Sequence, residues 1–111
     1  MSTDLPKWLA DQEEPVRKRA TKQEKRLAKE MGLRTTINSG AFDFSKGDLE
    51  GETFLVEAKF TDKTQYTLKH STLEKIVEEA EEVGKTPMLV ITFTKYAKDY
   101  VLIPKDYLGG E

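Results

Sequence analysis

Two carboxylates and a lysine in the segment GDLEGETFLVEAKF, residues 47 to 60, have the types and spacing of a metal-dependent site. Alternate residues of an extended chain share a face, so Glu57 and Lys59 project from one side of the strand. A turn near Gly51 brings Asp48 to within a residue or two of Glu57. Such a pair suits Mg²⁺, which prefers a few carboxylate oxygens and keeps several waters. Taken without Asp48, Glu57 and Lys59 are more simply explained as the solvated face of a strand.

The chemistry that this set predicts is hydrolysis of a phosphodiester. A bound metal would neutralise charge on the phosphate and lower the pKa of a water molecule. Lys59 would orient that water or stabilise the charge that develops on the phosphate.

A third carboxylate, Glu24, interrupts the apolar stripe of a predicted first helix. This helix covers about residues 13 to 31 and stops at Gly32. Its apolar residues follow a three- and four-residue spacing and are Val16, Ala20, Leu27, Ala28 and Met31. A carboxylate on that face costs on the order of several kcal/mol unless it is paired. Two interpretations stay open: a salt bridge to the neighbouring lysines, or a functional carboxylate directed into a cleft.

The formal net charge of −2 conceals a strong asymmetry along the chain. Residues 16 to 36 contain eight basic and two acidic side chains, a net charge of +6. Residues 71 to 84 contain five glutamates and one lysine, a net charge of −4. The basic run is typical either of a solvated helix face or of a surface that binds a polyanion such as nucleic acid.

Composition excludes several other classes of site. The 111-residue chain has no cysteine, which rules out disulfides and thiolate metal sites. Its single histidine, His70, argues against zinc and is expected to be an exposed turn residue. The N-terminus lacks a secretory signal pattern, and the apolar runs are too short to cross a bilayer, so we expect a cytoplasmic protein with no membrane partner.

The remaining pattern predicts an α/β domain. The segment LRTTIN reads as a strand, followed by a hairpin that turns near Gly51. A second helix has a capping box from Ser71 to Glu74, an apolar stripe and a stop at Gly84, and we expect it to pack on a sheet. TPMLVITFT and YVLIP are the last two strands, with a turn around Ala97, Lys98 and Asp99 before the second of them. The predicted order is α-β-β-β-α-β-β, a mixed sheet flanked by helices, with an N-terminal arm over residues 1 to 12 and one domain over 13 to 111.

Several of these segments together resemble the PD-(D/E)XK nuclease superfamily. They are Glu24, NSGAF leading to KGDL, FLVEAKFT, and LEKIVEEAEEVGKTPMLVITF. Within the superfamily they are most similar to the small Holliday junction resolvases of archaea and their relatives encoded by phages. The similarity covers roughly residues 24 to 93. Gly47 stands where the motif has proline, and this chain is less basic than small resolvases usually are.

The resemblance implies a restriction-endonuclease-like fold and an endonuclease that uses Mg²⁺, with Mn²⁺ as a substitute, and no small-molecule cofactor. It implies that Asp48, Glu57 and the backbone carbonyl of Ala58 bind the metal and that Lys59 assists the attacking water. Glu24 matches the carboxylate of the N-terminal helix in that family. For a phage-encoded relative, the place of action would be the host cytoplasm.

The expected partner is branched DNA, cut by paired nicks. A four-way junction needs two cuts and one chain carries one site, which predicts a homodimer. The residues expected to contact DNA are Arg17, Lys18, Lys22, Lys25, Arg26, Lys29, Arg34, Ser39 and Lys46. One alternative is a nuclease of the same fold that cuts linear DNA without junction preference, and another is a non-catalytic nucleic-acid-binding module. Three tyrosines are expected to pack at strand edges, with base stacking as the alternative: Tyr96, Tyr100 and Tyr107.

Overall fold

The computed structural model describes residues 15 to 36 and 48 to 108. The predicted arm, Ser39 and Lys46 lie outside the described residues. Within the described ranges, two α-helices accompany a five-stranded mixed sheet. The elements are α1 (Val16–Met31), β1 (Arg34–Thr35), β2 (Leu49–Glu50), β3 (Phe54–Thr61), α2 (His70–Glu82), β4 (Thr86–Phe93) and β5 (Lys98–Leu102). The observed order differs in detail from the prediction, because short 3-10 helices follow β4 and β5.

Helix α1 ends where the sequence predicts and buries a different set of side chains. Gly32 has a φ of 69°, the left-handed conformation, and its N–H donates to the carbonyl of Ala28. The helix therefore ends at a glycine cap. The buried side chains of α1 are Gln23 and Leu27. Val16 and Met31, predicted to be core residues, are exposed, because only the middle of the helix lies over the sheet.

The strands lie in the spatial order β1-β2-β3-β4-β5. Strands β2 and β3 form the predicted hairpin, with Leu49 opposite Val56 and the N–H of Gly51 donating to the carbonyl of Phe54 at 2.9 Å. Strands β3 and β4 are parallel over their whole length, and α2 forms the crossover between them. Their carboxyl ends therefore lie at the same edge of the sheet.

Both faces of the sheet are covered, but not along its full length. On the first face the core consists of buried side chains from α1 and three strands: Leu27, Leu49, Val56, Ala58, Met88 and Val90. On the second face α2 packs against β3 and β4, and Leu55 and Leu89 are buried there. Further along the second face, Lys59 is half-buried and Tyr100 is exposed. The carboxyl ends of the parallel strands are thus the open part of this face.

Helix α2 begins at His70, whereas the sequence predicted Ser71 as the cap before its first residue. Its N-cap is Lys69, with no side-chain capping bond, and the N–H of Thr72 donates to the Lys69 carbonyl at 3.0 Å. The predicted capping box from Ser71 is therefore wrong, since the backbone has already closed the first turn. His70 lies in that first turn and is exposed. The predicted stop is confirmed, since the chain leaves the helix through Gly84 with a φ of 71°.

The last strand also starts earlier than predicted. Lys98 and Asp99, expected in a turn, belong to β5 and pair with Phe93 and Thr92. The turn is made instead by the 3-10 helix Thr94–Tyr96 and by Ala97, whose φ is 52°. In the part of the chain that the structure describes, no helix has the length and apolar character to cross a membrane.

Candidate metal centre

The hairpin brings Asp48 and Glu57 to one place at the open face of the sheet. Asp48 comes directly before β2, and its N–H donates at 2.8 Å to the carbonyl of Val56, the neighbour of Glu57 on β3. The N–H of Ala58 donates to Asp48 Oδ2 at 2.9 Å, and Lys59 Nζ lies 3.2 Å from Glu57 Oε2. One oxygen of Asp48 and one oxygen of Glu57 are thus each held by a neighbouring group. The structure therefore assembles the three charged residues that the sequence singled out.

Both carboxylates are in a poor environment for negative charge. Burial raises the pKa of Asp48, although the Ala58 N–H and the charge of Lys59 act in the opposite direction. Burial also raises the pKa of Glu57, the charge of Asp48 raises it further, and Lys59 opposes both effects. The surroundings contain too little positive charge to offset the loss of water around two carboxylates. A cation bound between them would relieve this imbalance.

Glu24 reaches the same region from α1. Burial raises the pKa of Glu24 to about 7, and the charges of Asp48 and Glu57 contribute to that rise. In residues 15 to 36 and 48 to 108, Glu24 takes part in no ion pair, so the predicted alternative of a salt bridge to neighbouring lysines is not what the structure shows. Glu24 therefore lies near enough to Asp48 and Glu57 for their charges to raise its pKa.

Sequence reasoning missed two residues that act on this centre. Lys75 of α2 lowers the pKa of both Asp48 and Glu57 through its charge. The available signal was that Lys75 is the single cation in an acidic helix that had been regarded as purely structural.

Gln23 is the second missed residue, and it acts from the opposite face of the sheet. Its Nε2 donates to the backbone carbonyl of Lys59 and to Thr92 Oγ1, both at 2.8 Å. Gln23 is only 7% exposed, so these bonds are shielded from water. The only hint in the sequence is an amide between Ala20 and Leu27 on the inward side of α1.

The basic residues of α1 and the start of β1 differ in whether carboxylates already bind them. Four lysines at four-, three- and four-residue spacing are exposed on the side of α1 away from Gln23 and Leu27: Lys18, Lys22, Lys25 and Lys29. Arg17 and Arg34 are also exposed, and Arg34 lies 3.7 Å from Glu50. Arg26 differs, since its guanidinium donates to both oxygens of Asp99 and to Glu30. The four lysines form a stripe of positive charge along the exposed side of this helix.

Metal binding at this centre would not depend on side chains alone. Among the described residues, no three His, Asp or Glu side chains converge closely enough to hold a metal ion together. Asp48 and Glu57 supply two carboxylates, and the remaining ligands would be a backbone oxygen and water. Few carboxylates with several waters is the pattern that Mg²⁺ favours.

No protein-family model, curated protein or solved structure matches this chain. The likeness to the PD-(D/E)XK nucleases accordingly stays a prediction from the residues of the site and the order of the elements.

Proposed function

We propose that this protein is a Mg²⁺-dependent endonuclease of the PD-(D/E)XK type that makes paired nicks in branched DNA, as a Holliday junction resolvase does. The observation that carries the proposal is the meeting of Asp48 and Glu57 across the hairpin, with Lys59 held against Glu57. Glu57 lies halfway along β3, and Lys59 lies closer to the carboxyl end of that strand, the side on which α/β sheets commonly bind their ligands.

The residues present fit a divalent cation of the hard type. Asp48, Glu57 and the carbonyl of Ala58 would hold it, and burial makes the two carboxylates unfavourable as bare anions. When bound, Mg²⁺ would supply Lewis-acid stabilisation of phosphate charge and a water of lowered pKa.

The other side chains have distinct tasks in this proposal. The Ala58 N–H orients the Asp48 carboxylate, and the Lys59 ammonium stabilises negative charge that develops on the phosphate. Gln23 fixes the backbone from which Lys59 extends. Glu24, whose pKa is about 7, can take up or release a proton near neutral pH.

Binding of DNA is supported by the exposed lysines of α1. Contacts to phosphates position a duplex without reading its sequence, so their contribution should weaken strongly as salt concentration rises. Because one chain carries one site, symmetric cutting of a four-way junction requires a two-fold dimer.

The test is cleavage of a labelled four-way junction beside a linear duplex of the same sequence, in Mg²⁺. We expect the junction to be cut in paired strands and Glu57→Gln to abolish the cutting. The matched control is Glu52→Gln, which makes the same change at an exposed glutamate of the hairpin turn and should leave cleavage intact.

The other outcomes separate the alternatives. Equal cutting of both substrates would indicate a nuclease of this type without junction preference. Tight DNA binding without any cutting would indicate a non-catalytic nucleic-acid-binding module and would exclude both nucleases.

A further inference from the structure

A second surface lies at the carboxyl end of β4 and the start of β5. Its residues line an open cavity of about 570 Å³ and are Thr64, Phe93, Tyr96, Lys98 and Tyr100, which we call the tyrosine platform. Tyr96 is 58% exposed and Tyr100 is 55% exposed. The rings of Phe93 and Tyr100 pack edge to face with centroids 5.9 Å apart. Tyr100 thus packs on Phe93 in the edge strand β5, as predicted, while about half of its surface and of that of Tyr96 remains open.

The platform shares a face of the sheet with the candidate metal centre. Lys59 pairs with Ile91 of β4, and Ile91 pairs with Tyr100 of β5. Residues paired directly across neighbouring strands point to the same side. Strands are spaced by about 5 Å, so the backbones at Lys59 and Tyr100 lie about 10 Å apart.

The charge around the platform is positive. Lys63, Lys95 and Lys98 are exposed, and within the described residues they form no ion pair. The nearby carboxylates Asp62 and Asp99 are already held by arginines of α1. Aromatic rings among lysines are suited to a polyanion that also presents flat apolar groups, which describes a single nucleic-acid strand.

We propose that the tyrosine platform stacks unpaired nucleobases of the DNA strand whose phosphate lies at the candidate metal centre. This inference rests on the proposed nuclease function and assigns a binding site to it. A few nucleotides span about 10 Å, because bases of one strand rise about 3.4 Å each in a duplex. Bases inside a continuous duplex are stacked on both sides and cannot use the platform. Bases freed at a branch can, so the platform would favour cutting next to unpaired nucleotides.

The experiment compares two labelled probes, a short oligodeoxythymidylate and an abasic strand of the same length. Affinities are measured by fluorescence anisotropy in EDTA, so that cleavage plays no part. We expect the unmodified protein to prefer the probe with bases. Tyr96→Leu and Tyr100→Leu should each weaken that binding roughly fivefold to a hundredfold, the range for loss of one base–aromatic stack. Tyr100→Phe should bind as the unmodified protein does.

Tyr107→Leu is the matched control. Tyr107 bonds to Glu81 of α2 and lies outside the platform, so its loss should leave affinity for both probes unchanged. Thermal unfolding by circular dichroism checks that each variant folds. If a leucine variant does not fold, the preference of the unmodified protein for bases over the abasic strand still decides the question.

Three outcomes would contradict the proposal that the platform stacks nucleobases. Equal affinity of the unmodified protein for both probes would remove the nucleobase as ligand while leaving the proposed nuclease intact. Absence of any DNA binding would overturn both proposals together. Unchanged DNA affinity in the leucine variants, with self-association lost in sedimentation, would show that the surface joins two copies of the chain instead.

Discussion

Asp62 and Asp99 each accept two hydrogen bonds from an arginine of α1, whereas Glu57 is paired with Lys59 and Asp48 accepts a bond from the Ala58 N–H. The two pairs of carboxylates also differ in the direction in which their pKa values are shifted. The arginine bonds are the largest effect on the first two carboxylates and lower the pKa of Asp62 to about 2 and that of Asp99 below its usual value. Burial is the largest effect on the second two and raises the pKa of both.

Helix α1 contributes to both regions, which makes the contrast informative. Towards one region it presents Arg19 and Arg26, and towards the other it presents Glu24, a further carboxylate. The fold thus neutralises carboxylates where their role is structural. At the candidate metal centre it gathers negative charge instead, which a bound cation would offset.

Asp48→Asn should give the largest effect in this comparison. The amide oxygen can still accept the Ala58 N–H, so folding should be retained while a charged metal ligand is lost. Metal catalysis of this kind is worth several kcal/mol, so we expect junction cleavage to fall roughly a thousandfold. Single-turnover cleavage measures the loss. Asp62→Asn, on the arginine-held side, should cleave within a few-fold of the unmodified protein, and equal losses in both variants would erase the distinction.

Glu24→Gln should change stability and its pH dependence. Since folding raises the pKa of Glu24 from 4.5 to about 7, the folded protein holds a proton that the unfolded chain releases between those values. Stability therefore falls as pH rises from about 4.5 to 7, and the loss is complete above that range. Removing the carboxyl should eliminate this fall and raise the stability of the protein at pH 8.

Urea unfolding at a series of pH values measures this effect. Glu52→Gln, which changes an exposed glutamate in the hairpin turn, serves as the control and should keep the pH dependence of the unmodified protein. If stability of the Glu24→Gln variant varied with pH as it does in the unmodified protein, folding would not be raising the pKa of Glu24.

Added Mg²⁺ should stabilise the folded protein through the candidate metal centre. At a concentration a hundred times the Kd, a ligand specific for the folded state contributes about 2.7 kcal/mol. For a chain of this size that corresponds to a rise in Tm of roughly 10 °C, measured without DNA. Asp48→Asn and Glu57→Gln should remove the rise, and Asp99→Asn should keep it. A rise that survives in the first two variants would place the ion elsewhere.

Arg26→Ala should give the smallest effect, because its bonds to Asp99 are partly exposed. The guanidinium is 40% exposed and the Asp99 carboxylate 29%, so solvent screening limits the pair to about 1 kcal/mol. Lys25→Ala, one residue earlier on the exposed side, should cost close to nothing in the same urea experiment. Equal stability of the two variants would mean that the arginine bonds contribute little.

Local patterns were sufficient for most of the fold. The three- and four-residue spacing and the two glycines located both helices and their carboxyl-terminal ends, and the turn near Gly51 located the hairpin. Errors occurred where tertiary position overrides the pattern. Val16 and Met31 are apolar and correctly spaced, yet the sheet does not extend beneath either end of α1.

The centre was predicted only as far as near neighbours in the chain determine it. Alternation along β3 and the turn before it set Glu57, Lys59 and Asp48 together. The contacts of Gln23 join residues 36 and 69 positions apart, and those of Arg19 and Arg26 join residues 43 and 73 positions apart. No spacing rule reaches across such separations, because which elements meet is decided by packing of the whole domain.

The two hydrogen bonds of Gln23 have a consequence for redesign of this chain. They tie the backbone carbonyl of Lys59 to α1 and, through the Thr92 hydroxyl, to β4. A change that moves α1 relative to the sheet by a fraction of an ångström therefore also moves the base of the lysine. Position 23 should accordingly be held fixed with the charged residues in any engineered variant, although its amide lies on the face of the sheet opposite to the candidate metal centre.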